Sequence, residues 1–289
     1  MRRETGIQKE TLRAWERRYG FPHPARDATG ERVYSQAEID KLKLMKKLTD
    51  RGHRPSAIVS RTDSQLRALL VASEQRLPHP HDGQWIEPLM RAVKAHDVTV
   101  LRNELSECLH RQGLELFVNS TVAPLNSAIG ALWVIGELEI HEEHLYSELV
   151  QSLLREAIQS LPVHDTAPRV VLTTPPGEQH QLGLLMAHAL FALERAQCVP
   201  LGARTPLREV ANAAVAHRAD VVALSLSASF SLNTASQVLY DLDELLPEGI
   251  EIWAGGAAAG MVRNPPTRVR ILASLNDIRP NLQNWRAHR

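Results

Sequence analysis

Residues 173–183 read TTPPGEQHQLG, and they follow directly on the apolar run RVVL at 169–172. That run is rich in β-branched residues and does not alternate with polar ones, as expected of a strand buried on both faces. Two further runs share this character, DVVALSLS at 220–227 and IEIWAGG at 250–256. LGLLMAHALFALERA, PLREVANAAVAHR and LNTASQVLYDLDELL, at 182–196, 206–218 and 232–246, read as helices beside them. Strand–helix alternation predicts a doubly wound parallel sheet over 167–289. Such sheets bind ligands beyond the carboxyl ends of their strands. His180, in the loop leaving the first strand, therefore stands where a ligand is expected.

Three elements recur at strand ends. Glu178-x-His180-x-x-Gly183 follows the first strand. After the 41 residues 184–224 comes Ser225-x-Ser227, and after the 27 residues 228–254 comes Gly255-Gly256. An imidazole, small hydroxyls and a glycine pair suit a bulky flat cofactor. A histidine can ligate a metal while an adjacent acid orients it through its other nitrogen. Glycines let a wide group lie against backbone. The plainer alternative is a sheet that keeps its shape without a ligand.

The pattern resembles the cobalamin-binding module of methionine synthase and the mutases. Its usual signature is Asp-x-His-x-x-Gly, then Ser-x-Leu or Ser-x-Thr, then Gly-Gly, at similar spacing. The resemblance implies that His180 is the lower ligand of the cobalt of cobalamin, with Glu178 as its relay acid. It also implies that Gly183, Ser225, Ser227, Gly255 and Gly256 accommodate the displaced nucleotide tail. Glu178 replaces the usual aspartate, and Ser227 the usual leucine or threonine.

The head of the chain is basic. Residues 1–76 hold 17 Lys and Arg against 10 Asp and Glu, a surplus of seven that the remainder cancels. Such a head on an acidic body points to a polyanion, although charge alone fits a solvated face equally well. Leu12, Trp15 and Tyr19 share a face of a helix expected over 8–19, which Gly20, Pro22 and Pro24 end. ARDATGERVYS reads as a hairpin turning at Thr29-Gly30. Ser35 with Glu38 forms a capping box for a helix carrying Ile39, Leu42, Met45 and Leu48 and ending near Gly52. LRAWERRYGFPHPAR…GERVYS resembles the winged helix-turn-helix of the MerR family of transcription regulators. That resemblance implies a double-stranded DNA operator as partner, with Arg13, Arg17, Arg18, Arg26 and Arg32 at the DNA. Only MRRE precedes TGI, fewer residues than the family has there. The first helix is expected to be short, or the true start to lie upstream of Met1.

SQLRALLVASEQ reads as a further helix, and residues 77–83 as a linker. His79 and His81 stand there among prolines without a third ligand, so they read as solvated. Residues 84–162 predict four helices with short joints, an antiparallel bundle. Trp133 stands ten residues before Glu143-His144. This spacing resembles the Trp-x9-Glu-His signature of the CarH and LitR photoreceptors, MerR-type repressors whose bundle caps adenosylcobalamin. The resemblance implies that Trp133, Glu143 and His144 meet the adenosyl group, and that the dark form is a homo-oligomer, a tetramer on DNA. Those photoreceptors carry a histidine directly after the tryptophan that captures cobalt in the light. Here that residue is Val134.

No apolar run reaches the roughly 18 residues of a membrane span, and no secretory leader is expected. Cys108 and Cys198 lack metal spacing, which fits a reduced, cytoplasmic protein. The expected function is that of a cobalamin-dependent, light-responsive transcriptional regulator, a repressor, not an enzyme. The alternatives are a cobalamin-level sensor, a MerR-type regulator without cofactor, and a corrinoid enzyme module. The basic head and the lack of a substrate domain speak against the last.

Overall fold

The computed structural model describes residues 5, 7, 9–26, 30–50, 53–74, 86–162, 164 and 166–288. They fall into two compact units, the head and a larger unit in which bundle and sheet fold together.

In the head, the expected helix is Lys9–Tyr19 (α1), with Leu12 and Trp15 buried. The Gly20 amide donates to the Glu16 carbonyl at 3.0 Å with φ of 65°, a left-handed close to the helix. Ala25–Arg26 (β1) pairs antiparallel with Arg32–Val33 (β2); Thr29, in the expected turn, lies outside the described residues. The capping box forms. The Ser35 amide donates to Glu38 Oε2 (2.9 Å) and the Glu38 amide to Ser35 Oγ (3.3 Å), opening Gln36–Asp50 (α2). Pro55–Ile58 (α3) and Asp63–Glu74 (α4) follow. Leu42, Met45, Leu48, Ile58, Leu66 and Leu70 pack with Leu12 and Trp15 in one core. The end near Gly52 and the linker with His79 and His81 lie outside the described residues.

The second unit opens with Ile86–Lys94 (α5) and Val98–Gln112 (α6), the latter capped by Asp97, whose side chain accepts from the Val100 amide at 3.0 Å. The third helix contains a feature the sequence did not announce. A π-helical segment, Phe117–Val122, runs into Ala123–Ile135 (α7). Such segments leave backbone carbonyls displaced from the ordinary ladder. The Tyr146 hydroxyl donates to the Val122 carbonyl there (3.5 Å), and Thr121 Oγ1 to Gln112 Oε1 (3.0 Å). Tyr146 belongs to Ile140–Gln159 (α8), whose first turn is closed by a Glu139–Glu142 capping box.

The sheet has five parallel strands, Arg169–Thr173 (β3), Gln197–Gly202 (β4), Val221–Ser225 (β5), Glu251–Gly255 (β6) and Val269–Leu272 (β7), in the order β4-β3-β5-β6-β7. The sequence reading found the three central strands and missed both edges. β4 contains Pro200, tolerated because an edge strand need not donate on both sides. β7 has only four residues. Leu182–Leu193 (α9) leads from β3 to β4, and Leu207–Ala216 (α10) returns to β5. Leu232–Leu245 (α11) leads from β5 to β6, and Ile278–Ala287 (α12) follows β7. The chain thus leaves neighbouring β3 and β5 in opposite directions, and their loops part. That is the switch point at which doubly wound sheets hold ligands.

Strand residues alternate between two cores. Val171, Val222, Leu224, Ile252 and Ala254 face α10 and α11. Val170, Leu172, Val221, Ala223 and Trp253 face α9, α12 and the bundle, whose Tyr146, Val150 and Leu154 join the same core. Fully burying one such aliphatic side chain contributes about 1.5–3 kcal/mol. The shared core, more than any surface ion pair, therefore holds bundle to sheet. Arg279 adds bonds to Glu115 (2.7 Å) and Glu194.

Gly256 closes β6 at φ of 96°, and a Cβ there would stand 2.3 Å from the Leu226 carbonyl oxygen. Gly256→Ala is expected to cost roughly 1–3 kcal/mol through strain and overlap. Gly260→Ala, where a Cβ meets nothing within 4 Å, should change little. Equal melting temperatures for the two variants would contradict this account.

Candidate functional site

The loop after β3 is built around a buried carboxylate. Glu178 is 2% exposed, and both its oxygens are engaged. Oε1 accepts from the His180 amide (2.9 Å) and lies 2.7 Å from His180 Nδ1, while Oε2 accepts from the Ser227 amide (2.8 Å). Ser227 Oγ lies 3.2 Å from the same Nδ1. Glu178 thereby ties the β3 loop to the β5 loop. Burial pushes its pKa up, but the bonds from His180 and Ser227 prevail and hold it below the ordinary carboxylate value. His180 is shifted the other way. Its bond to Glu178 raises its pKa, burial opposes this, and the Glu143 charge adds to the rise. With Nδ1 facing a carboxylate, Nε2 is the ring nitrogen left for a metal. The His180 side chain is 47% exposed, so a ligand can reach it.

Two of the small residues also have a local reason within the chain. A Cβ on Gly183 would meet Ser225 Oγ at 2.9 Å, and one on Gly256 would strike the Leu226 backbone. Both glycines first let the chain approach itself, bringing α9 against β5 and the β6 end against the β5 loop. Gly255 is less constrained, since its nearest neighbours stand at 3.9–4.0 Å.

Of the bundle residues, Glu143 bears on His180 through its negative charge, which adds to the rise of the His180 pKa. Its carboxylate also accepts from Ser147 Oγ (2.6 Å) and lies 3.5 Å from His144 Nδ1. The His144 side chain is 71% exposed and Trp133 37% exposed. The side chain of Val134 lies outside the described residues.

Two residues that the sequence reading missed support the loop. Thr174 is fully buried; its Oγ1 donates to the Glu178 carbonyl (2.7 Å) and accepts from the Arg204 amide (2.9 Å). The buried Thr173 hydroxyl lies 2.8 Å from the Gly202 carbonyl and 2.7 Å from Thr205 Oγ1. The signal was present as two threonines ending an apolar strand. In the head, Arg13, Arg17, Arg18 and Arg26 are exposed, whereas Arg32 is half-buried with its Nε 3.1 Å from Glu16 Oε2.

Residues 1–64 match the family model of the MerR HTH family regulatory protein, and residues 168–263 that of the B12 binding domain. The HTH-type transcriptional repressor CarH of Myxococcus xanthus is 32% identical over 88% of this chain and 86% of its own length. The chain belongs to the MerR-type transcriptional regulators that carry a B12-binding domain. The repressor CarA of the same organism is 30% identical over 83% of this chain and 79% of its own. The Methanosarcina barkeri monomethylamine corrinoid protein, at 15% identity and a TM-score of 0.56, covers 70% of this chain and all of its own, which shows a shared fold. Among the described residues, no helix is long and apolar enough to cross a membrane.

The donor set fits the cofactor this family domain implies. A carboxylate-held imidazole with Nε2 turned away from that carboxylate is a sound cobalt ligand, and its half-exposed ring is accessible.

The Glu178–His180 pair also makes the ligand-free protein sensitive to pH. His180 holds its proton more tightly when folded, so its contribution is full below the ordinary 6.5 and is lost as pH rises through its raised folded value. The Glu178 contribution is full above the ordinary 4.5 and is lost as pH falls through its lowered folded value. The pair contributes most between these limits. Glu178→Gln is expected to lose more stability in urea near about pH 5.5 than near about pH 9. A loss that does not vary with pH would contradict the coupling.

Proposed function

We propose that this chain is a cytoplasmic, cobalamin-dependent transcriptional repressor that takes up adenosylcobalamin and responds to light, and not an enzyme. Its working parts are a DNA-binding head at 1–76, a linker at 77–83, a bundle at 84–162 above the cofactor, and an α/β cobalamin-binding domain at 167–289. The 2.7 Å contact between Glu178 and His180 Nδ1 carries this reading, because it presents Nε2 to cobalt from the end of β3. When bound, adenosylcobalamin supplies a cobalt–carbon bond that light breaks.

The chain's own residues do the rest. Glu178 fixes the tautomer and direction of the His180 ring. Gly183, Ser225, Ser227, Gly255 and Gly256 shape the way in for the nucleotide tail. Trp133, Glu143 and His144 meet the upper group, so its loss changes what the bundle packs against. That change biases an assembly equilibrium, as in other ligand switches. One small head holds DNA weakly, and a tetramer engages several heads at once. Val134 favours a second reading, in which cobalamin level rather than light is the signal, since valine has no lone pair for cobalt once the adenosyl group is gone.

Spectra, gel filtration and DNA binding, measured with adenosylcobalamin in the dark and after illumination, separate these readings. A larger, DNA-bound dark form and a smaller lit form are expected, with cobalamin lost more readily in the light than from Val134→His. If cobalamin changes DNA binding but illumination does not, the second reading holds; if neither does, both fail. His180→Ala should weaken cobalamin retention and alter its spectrum, and a wild-type spectrum and affinity would refute the ligand assignment.

Affinity for DNA should fall steeply with salt, each neutralised phosphate adding about −0.9 to the log–log slope. Arg17→Ala or Arg18→Ala should lower the slope by about one unit. Salt-independent binding would count against the head as the DNA contact.

A further inference from the structure

A carboxylate on a helix that faces DNA needs a local reason, because phosphate repels it. Glu16 sits in α1 between Arg13 and the Arg17-Arg18 pair. Its Oε2 lies 3.1 Å from Arg32 Nε, with the two side chains 32% and 29% exposed. Arg32 is on the outgoing strand of the wing. Strand alternation places it on the same side as Tyr34, which packs against the head core, while Val33 between them is 49% exposed. Its contact with Glu16 and its part-burial hold the Arg32 guanidinium back toward α1. It also stands directly opposite Arg26 in the hairpin register, a like-charge pairing that works against the wing. Glu16, on α1, offsets that repulsion by pairing with Arg32. Arg26 is held differently, its Nη1 donating to the Gly30 carbonyl at 2.8 Å. The incoming side of the wing has its own carboxylate anchor, the His23 amide donating to Glu38 Oε1 at 2.7 Å.

We infer that Glu16 and Arg32 are positioning residues for DNA binding, an ion pair that fixes the wing against α1 so that Arg26 and the α1 arginines present one surface. Arg32 is not itself one of the phosphate contacts. This rests on the head being the DNA-binding part, and the test keeps the two ideas apart.

DNA from upstream of the chain's own gene and a random-sequence duplex of equal length are titrated with the full-length protein at several salt concentrations. Glu16→Gln removes a negative charge from a DNA-facing surface, so electrostatics alone would tighten binding. The ion pair predicts the reverse, a loss of about two- to fivefold, the range of exposed or part-buried pairs. Arg32→Ala and Arg32→Gln should lose a similar factor at an unchanged salt slope. The double variant Glu16→Gln/Arg32→Ala should be no weaker than Arg32→Ala alone, because both remove one interaction. Arg32→Gln leaves α1 untouched, so it decides the matter if Glu16→Gln melts early. Unchanged or tighter binding by Glu16→Gln, a slope lowered by about one unit in the Arg32 variants, or additive losses would each overturn the inference. If the wild type binds neither duplex, the DNA-binding reading falls and the inference with it.

Discussion

The Glu178 carboxylate is the constraint on which the rest of the site depends. A buried charge is costly unless its lone pairs are taken, and here the His180 amide, His180 Nδ1 and the Ser227 amide take them. Two of these donors lie in the loop after β3 and one in the loop after β5. A single side chain thus crosses the switch point, fixes the imidazole and joins the two strand ends between which a ligand must enter. A glutamate is long enough to fold back onto the amide two residues on and still reach the neighbouring loop. Ser227 completes the arrangement with its backbone, so the departure from leucine or threonine at that position leaves the main bond untouched.

The bundle and the sheet share one core on the face of α9, and this gives the proposed switch a physical route. The charge of Glu143, two turns before Val150 of that core, raises the His180 pKa. A group lost from above His180 would alter the surroundings of α8, and α8 packs against α9 of the sheet. Close-packed interiors pass on such shifts because they have few voids to absorb them. The π-helical segment before Trp133, with Tyr146 bonded to its Val122 carbonyl, adds a place where helix register is already irregular.

Local signals in the sequence fared well. The Ser35–Glu38 capping box, the helix stop at Gly20, the three central strands and the loop at 178–183 all depend on short-range chemistry, and each was legible. The edge strands were not. Pro200 breaks the strand signature of β4, and four residues are too few for β7 to stand out. Non-local pairings were hidden too. Nothing in the linear chain links Glu16 to Arg32, or says that Gly183 exists for Ser225 and Gly256 for Leu226. The linear chain shows glycines that could make room for a cofactor, but not that two of them also make room for the chain itself. The π-helical segment has no signature in the apolar spacing of the third bundle helix.

The central claim is that His180 Nε2, oriented by Glu178, is the lower ligand of cobalt. Electron paramagnetic resonance of the protein with reduced, one-electron cobalamin tests this most directly, using protein labelled with nitrogen-15 at histidine and unlabelled cofactor. Nitrogen-14 has spin one and splits each cobalt line into three, whereas nitrogen-15 has spin one-half and splits it into two. The account predicts doublets in the labelled protein and triplets when His180→Ala is labelled in the same way. Triplets in the labelled wild type would mean that the cofactor keeps its own base, and would contradict the account.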